Sequence, residues 1–71
     1  MNAKKYLILE ANEIGGRTIH PIACLEVNKK NSFIGIHYQV VAFKIIEENK
    51  VYFKNVSLTE EKFKKIRNSF E

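Results

Sequence analysis

Phe33-Ile34-Gly35-Ile36-His37-Tyr38-Gln39-Val40-Val41-Ala42-Phe43-Lys44-Ile45-Ile46 is an unbroken run of 14 residues dominated by β-branched and aromatic side chains, the composition of a strand. Fully extended it would reach ~46 Å, whereas a compact chain of this length is only about 30 Å across. It must bend or break. Apolar residues occupy even positions at Ile34, Ile36, Tyr38 and Val40, then odd positions at Val41, Phe43 and Ile45. Such a change of parity is what a β-bulge between Val40 and Ala42 produces.

Turn signals fall at Gly15-Gly16, at Asn28 to Ser32 and at Glu47 to Lys50, and they cut the chain into four segments that each open with a β-rich run. Lys4 to Asn12 and Thr18 to Val27 read as antiparallel strands joined through Gly-Gly, which tolerates the positive φ of a tight hairpin. A hairpin centred there sets Lys5 opposite Glu26, Leu7 opposite Cys24 and Leu9 opposite Ile22. Pro21 cannot donate to a ladder, so it calls for an edge position or a bulge beside His20. A last strand, Val51 to Asn55, returns after Glu48-Asn49.

The end of the chain changes period. Ser57-Leu58-Thr59-Glu60 has the form of a capping box. Thr59, Phe63, Ile66 and Phe70 then fall on one helical face, with Glu60/Lys64 and Glu61/Lys65 as i, i+4 ion pairs on the other. The sequence therefore predicts a single α+β domain over residues 1–71: a bent four-stranded antiparallel sheet and one C-terminal helix from Ser57 to Phe70, in the order ββββα.

The chain has 71 residues, 45% hydrophobic and 28% charged, an ordinary globular composition. A domain this small buries only about 60% of the surface its unfolded chain exposes. In the hairpin register above, one sheet face carries Leu7, Leu9, Ile22 and Cys24, and the other Tyr6, Ile8, Ala23, Leu25 and Val27. Both are apolar and a single helix covers one, so a homodimer is expected. A lone cysteine, the absence of an apolar stretch of signal-peptide length after Met1-Asn2-Ala3-Lys4-Lys5 and apolar runs far short of the ~20 residues that span a bilayer point to a cytoplasmic protein outside the membrane.

Function classes narrow from the residues that are missing. No Asp occurs anywhere, which removes Asp-dependent triads and Asp-based metal loops. His20, Cys24 and His37 are the only soft ligands, and His20 and Cys24 stand about 13 Å apart along a strand, so neither a metal nor another cofactor is expected. Cys24 lacks an activating base nearby, the carboxylate pairs Glu10/Glu13 and Glu47/Glu48 sit beside turns, and Gly15-Gly16-Arg17 lacks the strand-to-helix setting of a phosphate loop. The chain does not read as an enzyme.

Twelve Lys and Arg against eight Glu leave a net +4, and residues 1–56 hold eight bases and five acids, so most of the excess lies on the sheet. Aromatic residues alternate with these bases. The arrangement suggests sequence-tolerant binding of single-stranded nucleic acid, with Tyr38 and Tyr52 stacking on bases and Lys5, Arg17, Lys44 and Lys54 holding phosphates. The bland alternative is that Phe33, Phe43 and Phe53 fill the core while lysines solubilise edges. The competing function is a protein-binding module, a small inhibitor or regulator of the kind carried by phages and mobile elements, acting through an apolar sheet face.

The ββββα order, the expected dimer and the closing Asn55-Val56-Ser57-Leu58-Thr59-Glu60-Glu61-Lys62-Phe63 resemble the transcriptional coactivator family of single-stranded-DNA-binding proteins known as positive cofactor four. That family ends a curved four-stranded sheet with a Gly-Ile-Ser-Leu-type turn into a helix, dimerises, and lays single strands across its sheets. The resemblance covers the layout of the whole chain and is motif-like over Asn55 to Phe63. Phe33-Ile34-Gly35-Ile36-His37-Tyr38 stands where the family has an Asp-Ile-Arg-aromatic strand, and both the Asp and the Arg are missing here.

Overall fold

The computed structural model describes residues 2–71. A curled antiparallel sheet is built from β1 (Asn2–Ile8), β2 (Asn12–Ile14), β3 (Arg17–Lys30), β4 (Phe33–Glu47) and β5 (Lys50–Asn55), followed by a single helix α1 (Glu60–Phe70). The strand order is β1-β3-β4-β5, with β2 continuing the β1 side of β3. The α+β class, the antiparallel pairing and the C-terminal helix agree with the sequence reading. The expected first strand is split in two.

The split has a local cause. Ile8 pairs with Ile22, and Asn12 pairs with Ile19, so Leu9, Glu10 and Ala11 stand opposite only His20 and Pro21. In extended backbone the N–H and C=O of one residue point to the same side. The Pro21 carbonyl accepts from the Leu9 N–H at 2.8 Å, so the N–H that proline lacks would also have faced this strand. The edge strand breaks where the ladder has no donor. His20 fills part of the gap by donating from Nδ1 to the Leu9 carbonyl at 3.1 Å. Pro21 thus sits on an inner strand beside a bulge, not on an edge.

The extra residue corrects the register. Near the hairpin the expected pairing holds, with Ile14 opposite Arg17; beyond the break it slips by one, so Tyr6 faces Cys24 and Lys5 faces Leu25. Tyr6, not Leu7, therefore shares a face with Ile22 and Cys24.

The β3–β4 ladder shifts between Ile22 and Ala23, opposite Val40 to Ala42, where the change of parity placed a bulge. Its consequence differs from a change of face. Ile34, Ile36, Tyr38 and Val40 before it and Phe43 and Ile45 after it lie on the same side of the sheet, because the extra residue absorbs the parity change. Val41, the inserted residue, turns into the core. The β3–β4 hairpin is not shortened by the bulge, and the molecule is 50 Å in its longest dimension, well beyond the compact diameter expected for its length.

The three hairpin turns, β2–β3, β3–β4 and β4–β5, are each two residues long. Gly15 (φ 57°) and Gly16 (φ 78°) both take positive φ, as do Glu48 (φ 48°) and Asn49 (φ 65°), the backbone that matches strand twist in a tight hairpin.

The core lies between α1 and one sheet face. Ile22, Cys24, Val41, Ala42 and Ile66 are buried there, with Tyr6, Phe53, Leu58, Phe63 and Phe70 packed around them. Of the three phenylalanines expected to fill the core, only Phe53 does: Phe43 lies on the other face and Phe33 is 73% exposed at the hairpin tip. The helix starts two residues later than its capping-box pattern implies. Asn55 pins the preceding turn by donating to the Leu58 carbonyl (2.7 Å) and accepting from its N–H (2.9 Å). The cap therefore falls to Thr59, whose hydroxyl accepts from the Lys62 N–H at 3.3 Å. Thr59 is not part of the buried helical face, whereas Phe63, Ile66 and Phe70 are packed inward as expected. Thr59→Ala should lower stability by about 1 kcal/mol, read from a denaturant midpoint, while Ser57→Ala should leave it unchanged.

Candidate functional site

Side-chain alternation and the register assign every strand residue to one of two faces. The helix takes the face that carries Tyr6, Ile22, Cys24, Ala42 and Phe53; the opposite face has no element packed on it among the described residues. On this open face lie Lys5 of β1, Arg17 and Lys29 of β3, and Lys50, Tyr52 and Lys54 of β5, together with Tyr38 and Glu47 of β4. Its strands thus present five bases and one acid, a net +4 equal to that of the whole chain. The positive charge is segregated onto the side that the helix leaves uncovered.

Five of the six residues expected to form the site, Lys5, Arg17, Tyr38, Tyr52 and Lys54, share this face. Lys44 does not. After the bulge, even-numbered residues of β4 face the helix, and the Lys44 ammonium donates to the Phe70 carbonyl at 2.7 Å. A cation there satisfies a carbonyl left open at the helix C-terminus and complements the helix dipole. Lys44 is a helix anchor instead of a phosphate ligand.

The remaining five form two groups. Lys5, Leu25 and Tyr38 make one cross-strand row, which puts the lysine and tyrosine backbones about 10 Å apart. Lys54 pairs with Phe43 and Tyr52 with Ile45, about 13 and 20 Å along the sheet from Tyr38. Tyr38 and Tyr52 are 51% and 41% exposed, so each ring offers a face to solvent. Half-buried Leu25, Val40, Phe43 and Ile45 floor the space between the two groups.

Arg17 and Glu47 form an ion pair at one end of this floor. The hydrogen bond to Glu47, and then its charge, hold the Arg17 guanidinium above its ordinary pKa, with Tyr52 adding to the effect. Arg17 is thereby oriented beside Tyr52. Lys29 was missed by sequence reasoning, and Lys50, one of the bases interleaved with the aromatic residues, was not assigned to the site although it shares the parity of Tyr52 and Lys54.

The helix-covered face holds a cleft of about 220 Å³ between the sheet and the start of α1, lined by Tyr6, Cys24, His37 and Lys62 among others. The Lys4–Glu26 ion pair, at 3.6 Å, closes one side. Lys4 is held above its ordinary pKa, chiefly by Tyr6 and Cys24 and then by Glu26. Cys24 and His37 line the cleft without forming a ligand set: among the described residues no three His, Cys or Glu side chains gather as a metal site would require.

No protein-family model, curated protein or solved structure matches the chain. Among the described residues no helix is long and apolar enough to cross a membrane.

Proposed function

We propose that the protein is a non-enzymatic binder of single-stranded nucleic acid, which lies across the open sheet face between the Lys5/Tyr38 row and the Arg17/Tyr52/Lys54 group. The observation that carries this reading is the segregation of charge: five bases and one acid on the uncovered face, interleaved with two exposed tyrosines. Lysine and arginine attract the phosphate backbone without reading sequence, and tyrosine rings accept any unpaired base by stacking. Duplex bases are already stacked on one another, so single strands are the favoured form. No cofactor enters this scheme. The family that the layout resembles also lays single strands across its sheets.

Tyr38→Ala should weaken binding of a labelled single-stranded oligonucleotide by about 1–3 kcal/mol through lost stacking, measured by fluorescence anisotropy. Lys64→Ala, a charge removal on the helix, should leave affinity nearly unchanged. Equal losses in the two variants would mean that net charge, and not the open face, governs binding. An absence of binding at low salt would turn the reading to a protein partner on the same face, favoured by the exposed aliphatic side chains of Ile34 and Ile36.

A further inference from the structure

The ladder between β4 and β5 begins at Ala42, so among the described residues the first half of β4, Phe33 to Gln39, pairs with β3 alone. Its outer edge is open. Such an edge is a template for another strand, and proteins blunt it with lysine, proline or an inward charge. Phe33-Ile34-Gly35-Ile36-His37-Tyr38-Gln39 contains no Lys, Arg, Glu or Pro. Ile34 and Ile36, moreover, are 59% and 70% exposed.

We propose that this edge pairs with the same edge of a second copy, antiparallel about a two-fold axis at Ile36, so that two sheets become one. The segment is self-complementary in that register. Ile36 meets Ile36, and Ile34 meets Tyr38, with all three on the open face; these are aliphatic and aliphatic–aromatic cross-strand pairs of the favourable kind. A symmetric antiparallel pair sets each residue opposite one on the same face, which keeps the two open faces on one side of the joined sheet.

The charges choose the occupant and the mode. Stacking two copies through their open faces would oppose a net +4 to a net +4, whereas the edge brings together two uncharged segments. This proposal concerns the edge alone and does not depend on what the basic face binds.

Sedimentation velocity across the micromolar range tests it. Wild type should sediment as a dimer, and Ile36→Lys, which sets two ammonium groups directly opposite each other, should sediment as a monomer with an unchanged far-ultraviolet circular-dichroism spectrum. A monomeric wild type, or a dimer untouched by Ile36→Lys, would overturn the proposal. The register has its own readout. Under mild oxidation Ile36→Cys should trap a disulfide-linked dimer in high yield, whereas Phe33→Cys, placed opposite Gln39 of the other copy, should not; the reverse pattern would refute pairing centred on Ile36.

Discussion

Ile22→Ala should destabilise the protein by about 2–5 kcal/mol, lowering the melting temperature by roughly 10–25 °C in a domain of this size. Ile22 is fully buried and is the largest side chain with no exposure. It lies in the cluster that joins the sheet to α1 through Ile66, so its truncation opens a cavity where sheet and helix meet. A domain of 71 residues has only about 4–10 kcal/mol of stability in total, so the loss removes a large share of it. A thermal melt within a few degrees of wild type would contradict the described core.

The parity change across Val40 and Val41 and the Gly-Gly hairpin were legible in the sequence because each is a local rule about side-chain alternation or backbone φ. What a bulge does to the sheet was less legible. From sequence, a parity change reads as a change of face; in the folded ladder the same inserted residue cancels it and keeps Tyr38 and Ile45 on one side. The register of β1 failed for a related reason. Proline removes one donor, but whether the ladder answers with an edge or with an extra residue on the neighbouring strand is decided by pairing, which lies outside any single segment. Lys44 illustrates the cost: beside Phe43 and Ile45 it looks like a surface base, yet its parity after the bulge delivers it to the end of α1.

Reversing charge on the open face should have the largest effect on binding. Lys5→Glu combined with Lys54→Glu takes the strand residues of that face from a net +4 to zero while changing exposed side chains alone. Surface substitutions of this kind typically alter stability by no more than about 0.5 kcal/mol, so the melt should hold. Oligonucleotide affinity should fall by at least ~100-fold at low salt, since phosphate neutralisation supplies essentially all of sequence-independent binding. The same two-residue reversal placed at Lys64 and Lys65, on the exposed side of α1, makes an identical change in total charge and should cost far less. Comparable losses from the two double variants would show that the location of charge is irrelevant.

Salt dependence of wild-type binding to a labelled single-stranded oligonucleotide, followed by fluorescence anisotropy, tests the phosphate contacts of the open face most directly. If about four or five cations of the open face contact phosphates, the logarithm of the association constant should fall linearly with the logarithm of salt concentration, with a slope of roughly −3. Binding that is absent at the lowest salt, or whose affinity does not change with salt, would rule out phosphate contacts on this face.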